Sequence, residues 1–245
     1  MTALLSEQLV LPSPAIRTVD RPLVERLASR VACSVDEVAA FTSVARALEA
    51  LATQVFAGRR VAIGAPAAEG IAARAWSAAR SAREVDARQL DTLVTAARES
   101  DVLVLSSPVS GSSAAVISPR DLLLLRSRAP RPIIVLDLLD EDRARTPLTQ
   151  PALLLPGTIL LRGFGPLWRQ AGASHLADIA FVAGPRDLVG PLAAPALPES
   201  LVAAACAEFD QTDIDRRVRD LAAQGRQNGG ESLVIPDSGS RLLDR

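Results

Sequence analysis

The chain has no lysine and no tyrosine, and all 27 of its basic residues are arginine. A guanidinium stays protonated, so no side chain here supplies a neutral primary amine. The α-amino group of Met1 is the one primary amine in the sequence. A single histidine, His175, and the absence of phenols remove most of the usual general acids and bases. Cys33 and Cys206 lie far apart, with no metal-ligand spacing around either. They read as reduced, buried residues of a cytosolic protein and not as a catalytic thiol. No apolar run approaches membrane-spanning length, since DLLLLRSR is cut by charge after four leucines. The opening MTALLSEQLVLPSP has no basic region followed by a long apolar core, so no signal peptide is expected. With 27 basic against 28 acidic residues the net charge is -1. That balance argues against a nucleic-acid or membrane-surface partner held by bulk charge. A cytoplasmic location is the expectation.

What is present is apolar material. Hydrophobic residues make up 49% of 245, enough for one substantial core or one domain with a small appendage. Residues 1–20 are punctuated by proline and read as an extended arm. RPLVERLASRVA sets Leu23, Leu27 and Val31 at helical spacing behind Pro22, and a second helix is expected over about Ser43–Phe56. From Arg60 the pattern changes to short apolar runs separated by helical stretches. VAIGAP, a weaker run over Arg83–Val85, DVLVLSS, PIIVLDLLDED, TILLRGFG and DIAFVAGP read as strands. Between them AAEGIAARAWSAARSA reads as an alanine-rich helix anchored by Trp76. SPRDLLLL carries a helix start, with Ser118 as cap and Pro119 in the first turn. Near-continuous apolar strands alternating with helices predict a three-layer α/β/α domain around a mostly parallel sheet. Two helices close the pattern, over about Pro198–Phe209 and in TDIDRRVRDLAAQGR.

In such a chain, chemistry gathers where strands end. TILLRGFGPLWRQAGA, Thr158–Ala173, is a strand running through a tight turn into a helix. It resembles the turn of the class I/II (fold-type I) aminotransferases that carries their pyridoxal phosphate (PLP) lysine, most closely in the histidinol-phosphate aminotransferase branch. Three further stretches stand in the family's order. VERLASRVACSVDEVAAFTSVARALEAL is similar to the family's helix, turn and phosphate loop. SSPVSGSSAAVISPRDL is similar to its asparagine-proline turn, and IIVLDLLDED to its strand ending in Asp-Glu-Ala-Tyr. The resemblance spans about Ser13–Leu243. It implies an aminotransferase large domain over 21–209 and a C-terminal helix with the remnant of a small domain over 210–245.

Carried over residue by residue, the resemblance puts Pro166 at the lysine position. It puts Ser43 or Thr42 at the phosphate loop, where a helix N-terminus favours an anion; an ordinary helix cap is the preferred reading of these residues. Ser110 stands for the asparagine on the cofactor's phenolic oxygen, Asp140 for the accompanying tyrosine, and Gly165 for the serine beside the lysine. The phosphate-gripping arginine falls near Ser174. The loop AlaProAlaAlaGlu, 65–69, has no ring to stack. Asp137 matches the aspartate that keeps the pyridine nitrogen protonated; capping a loop or pairing with an arginine is the other reading. His175 lies too far downstream to serve as a base in place of the lysine. Arg241 and Arg245 read as tail charges.

PLP transamination needs an amine that condenses with the aldehyde and then shuttles a proton, and Pro166 does neither. The expectation is a catalytically inactive homologue without a bound cofactor, acting as a binding or regulatory protein or standing as a remnant. The alternatives are a divergent aminotransferase completed by another subunit, and a Rossmann-like binder using the loop after VAIGAP. That loop offers only Gly64 and Gly70, not a dinucleotide fingerprint. The family implies a homodimer, or a heterodimer with an intact aminotransferase.

Overall fold

Five runs, Val61–Ile63, Val102–Leu105, Ile134–Leu136, Ile159–Leu161 and Ala180–Ala183, are buried at every position. Strands covered on both faces have no polar side to alternate with. The computed structural model describes residues 20–107, 117–139, 141–143, 155–192 and 194–227. The expected N-terminal arm (but for Asp20), the tail after Gln227, Ser110 and Asp140 lie outside them.

The strands are β1 (Val38–Phe41), β2 (Arg60–Ala65), β3 (Ser81–Asp86), β4 (Val102–Ser106), β5 (Ile133–Asp137), β6 (Thr158–Gly163) and β7 (Ala180–Ala183). They form one sheet in the order β1-β7-β6-β5-β4-β2-β3. The five strands from β6 to β3 are parallel. Strand β7 runs antiparallel to β6 and to β1.

The helices are α1 (Arg21–Arg30), α2 (Val44–Leu51), α3 (Glu69–Ala78), α4 (Leu90–Glu99), α5 (Pro119–Arg128), α6 (Gly165–Gln170), α7 (Ser174–Ala177), α8 (Arg186–Val189), α9 (Glu199–Phe209) and α10 (Ile214–Gln227). Two cores result. One face of the sheet carries α1, α4, α5, α6, α7, α9 and α10 over Leu103, Leu136 and Phe181. The other carries α2, α3 and α8 over Val104, Val135 and Leu161. The three-layer reading is therefore observed.

Four local readings change. Val38–Phe41 is a strand; with all four residues buried it shows no alternation to separate it from the helices around it. Helix α2 stops at Leu51 and the chain widens into a π turn over Ala52–Phe56. Trp76 does not anchor α3: it is 51% exposed, and Ile71 and Ala75 bury instead. Four residues apart, those two share the inner stripe, which Trp76 leaves by a further 100°. Both cysteines are free thiols and only partly buried; burial and the nearby Glu37 push the Cys33 thiol up to about 11.

Candidate functional site

Strand β2 has β3 on one side and β4 on the other, so chain order reverses between them. In open α/β sheets ligands bind beyond the strand ends at such a point. Here the loop after β2 reaches across it, and Ala68 N donates to Ser106 Oγ at 3.2 Å. Ser106, at the end of β4, donates in turn to Asp137 Oδ2 at 3.3 Å. The parallel register sets Ser106 directly beside Asp137, which is why these two side chains meet.

Asp137 ends β5 and is 3% exposed. Its Oδ1 accepts from Leu139 N at 3.1 Å, a turn that caps the strand end. Of the readings of Asp137 from sequence, the structure shows the loop cap, made by a carboxylate that is itself buried. The sequence pattern missed Ser106. Its signal was a hydroxyl closing an otherwise apolar run in register with the strand that ends in Asp137.

The neighbouring positions are apolar. A methyl group built on Gly163 would lie 3.1 Å from Leu139 Cδ2 and 3.8 Å from Val44 Cγ2. Leu139 therefore covers the end of β6 and reaches toward the start of α2. Ser43 is the N-cap of α2, its hydroxyl accepting from Arg46 N at 3.3 Å. That is the cap role; the hydroxyl proton stays available to a ligand. Thr42 and Ser43 are both partly buried.

Pro166 lies in the first turn of α6, exposed, one residue after Gly165. Gly165 has φ +44°, a left-handed conformation that glycine adopts without cost. Missing the proline N–H costs nothing there, because the first helical turn has no partner for it. Ser174 opens α7 and is exposed. His175 faces away from this region. Its Nδ1 stands 2.8 Å from Glu208 Oε1 on α9, and Glu208 also accepts from His175 N and Leu176 N. Gly64 is a packing residue, where a Cβ would sit 2.7 Å from Leu105 Cδ2, and Gly70 lies within α3. Neither belongs to a phosphate turn. Beside the loop, at the ends of β2 and β3, an open groove of about 630 Å³ is lined by Pro66, Val85, Glu84, Asp86 and Arg88, among others. Among the described residues no cluster of histidine, cysteine or carboxylate side chains could hold a metal. No described helix is long and apolar enough to cross a membrane.

On the opposite face, β6 sends Arg162 into the core, paired with Glu141 of the 3-10 turn Glu141–Arg143. Burial lowers the Arg162 pKa and Glu141 opposes the shift. The same turn holds Trp168 of α6, whose Nε1 donates to Asp142 Oδ2 at 2.6 Å. The turn that follows Asp137 is thereby fixed from below.

No protein-family model matches the chain. No curated relative matches it either. Solved structures do. The chain is similar to a histidinol-phosphate aminotransferase from Clostridium acetobutylicum at 11% identity and TM-score 0.69, over 88% of this chain and 67% of that one. It is similar to L-threonine-O-3-phosphate decarboxylase from Porphyromonas gingivalis at 16% identity and TM-score 0.67, over 85% and 66%. It is also similar to histidinol-phosphate aminotransferase from Sinorhizobium meliloti in complex with pyridoxal-5'-phosphate, at 18% identity and TM-score 0.64, over 86% and 60%. The chain thus has the fold of the PLP-dependent aminotransferases, as its motifs implied. It spans 60% to 67% of the length of these structures.

The expectation of no cofactor is corrected by these matches, because one of them is a complex with PLP on the same fold. The physical reason is that a lysine supplies an attachment, while a crevice and its carboxylate are separate from it. Asp137 fits the group: a buried carboxylate at a strand end, steadied by Ser106 Oγ and Leu139 N, suits a protonated pyridine nitrogen. Bound there, PLP would supply an electron sink. Ser43 caps the N-terminus of α2.

Proposed function

We propose that this chain is an aminotransferase-like protein that does not transaminate and works as a binding or regulatory protein. One observation carries the reading: Pro166 stands in the first turn of α6, and the sequence holds no lysine. Asp137 would hold a pyridine nitrogen protonated, and Ser106 would keep that carboxylate oriented. No described side chain at the turn can take a proton from a substrate carbon, because Gly165 and Pro166 carry no titratable group. In this reading residues 21–209 are the aminotransferase-like large domain and residues from 210 onward a C-terminal segment. The partner is a second copy or a lysine-bearing aminotransferase.

The test adds PLP, follows absorbance and tryptophan quenching, reduces with borohydride and weighs the protein. Amino-acid and keto-acid pairs are assayed alongside. Expected are no reduced adduct at an internal residue and no keto-acid product. An internal adduct with turnover would sink the reading. Light scattering, alone and after mixing with a lysine-bearing homologue, checks the association.

Asp137 favours a second reading, a divergent aminotransferase whose amine comes from another subunit. Turnover only in the mixed sample is its signature. The groove beside Pro66 favours a third, a small-molecule binder at the loop after β2, and ligand-induced thermal stabilisation abolished by Arg88→Ala would support that one.

A further inference from the structure

The sheet ends on β1 at one side and on β3 at the other. Strand β1 is buried throughout. Strand β3 is not: Ser81, Arg83, Glu84 and Asp86 are exposed, and among the described residues it pairs with β2 alone. Unpaired backbone groups on such an edge are a template for another strand. Asp101 N donates to Arg60 O, which turns the even positions of β2 toward β4 and the odd ones toward β3. Ala87 N, donating to Ala65 O, agrees with that alternation. Arg83 and Val85 therefore bond β2, while Ala82 and Glu84 turn N–H and C=O outward and Asp86 turns its N–H outward.

Side chains alternate too. Ala82 packs on the core beneath α3 and Val85 on the opposite core, so Glu84 and Asp86 lie on the α3 face. Arg83, on the other face, is paired with Glu99 of α4 at 2.6 Å. Glu84 forms no ion pair among the described residues. Asp86 accepts from Arg88 N at 2.9 Å and Gln89 Nε2 at 3.2 Å. Helix α3 turns Gly70 toward Leu48 of α2, and buries Ile71 and Ala75 on the sheet. Helical periodicity leaves Trp76 on the flank away from α2, which packs on β1 and β7 at the far side of the sheet. Standing in the last turn of α3, the exposed indole is level with the start of β3.

We propose that the outer edge of β3 docks an extended basic segment of a partner protein. It adds an antiparallel strand with arginine or lysine opposite Glu84 and an apolar residue next on the same face, opposite Ala82 and beside Trp76. Main-chain bonds supply the affinity, and the alternate side chains the specificity. A second copy does not fit this edge. Outward-bonding residues must face each other, and the central registers set Arg83 on Arg83, Glu84 on Glu84 or Glu84 on Asp86, like charges in every case. The partner is additional to those proposed above, because β2 and β4 separate this edge from Asp137.

A labelled peptide alternating valine and threonine, its central valine replaced by arginine, tests this on the full chain by fluorescence anisotropy. A glutamate-centred peptide is the counterpart. The arginine peptide binds about fivefold or more tightly, and Glu84→Arg, an exposed change, reverses the order. Trp76→Ala weakens the arginine peptide about threefold or more. Hydrogen exchange with peptide in excess slows the amides of Ala82, Glu84 and Asp86 and leaves those of Arg83 and Val85, already bonded to β2, unchanged. Equal binding of the two peptides overturns the proposal, as does a preference that survives Glu84→Arg or no added protection at Ala82, Glu84 and Asp86. A concentration-dependent dimer that Glu84→Arg abolishes, read by light scattering, would assign the edge to a second copy and overturn it as well.

Discussion

Ser106 Oγ lies 3.3 Å from Asp137 Oδ2 and accepts from Ala68 N at 3.2 Å, so one hydroxyl joins the ends of β4 and β5 to the loop after β2. Ser106→Ala removes the hydroxyl that Ala68 N donates to and that donates to buried Asp137. The expected loss is about 1–3 kcal/mol of unfolding free energy, read from urea melts. Non-covalent PLP affinity should fall with it, and more steeply in Asp137→Ala. Unchanged affinity in Asp137→Ala would place the cofactor elsewhere.

Pro166→Lys restores an amine at the first turn of α6, at an exposed position where proline makes no backbone bond. A borohydride-fixed PLP adduct on the peptide carrying residue 166 is expected in this variant. Mass spectrometry after digestion reads it, with the α-amino group of Met1 as the internal control. An adduct at Met1 alone would show that the turn does not face the bound aldehyde.

Arg126 of α5 fastens the starts of two strands. It donates to Pro130 O and Pro132 O at 3.1 and 2.8 Å, and to Gly157 O and Thr158 Oγ1 at 2.8 and 3.3 Å. Burial lowers its pKa, yet the site holds it through oxygen acceptors. Arg126→Met retains the stem and removes the donors. A loss of about 2–4 kcal/mol is expected from chemical denaturation.

A methyl group at Gly184 would stand 2.7 Å from Thr158 O and 3.3 Å from Ile159 Cα. Backbone atoms cannot swing aside as a side-chain tip does. Gly184→Ala should therefore cost about 1–3 kcal/mol by overpacking between β6 and the end of β7. A thermal melt equal to wild type would contradict the placement of this strand pair.

The Arg60 guanidinium and backbone hold the Asp101 carboxyl at about 2, well below its ordinary range. A depressed acid contributes stability above its unfolded value, and that contribution disappears as pH falls through its folded value. Acid melts of wild type should lose this increment between about pH 4 and about pH 2. Asp101→Asn should flatten the slope there and leave the neutral side unaltered apart from a constant offset.

Much of this architecture was legible one segment at a time. Val102–Ser106 and Ile133–Asp137 are apolar throughout, a pattern that fits a strand buried on both faces in a parallel sheet. Pro119 behind Ser118 announced α5, and the structure shows Ser118 accepting from Asp121 N. Val38–Phe41 was not legible, because four small or apolar residues beside two helices carry no period of their own; their pairing with β7 decides them. Trp76 misled for a related reason: in an alanine-rich helix, size does not say which stripe faces the sheet.

The amino acids alone determined that no lysine stands at this turn, since a missing amine is absent in any conformation. They determined the layered fold as well, because burial on both faces forces continuous apolar runs. Tertiary structure decided which distant polar atoms meet: Ser106 with Asp137 through strand register, and Trp168 with Asp142 through the packing of α6 on the turn after β5. Those meetings depend on positions 31 and 26 residues apart, a separation that local periodicity does not encode and only the closed sheet brings to bonding distance.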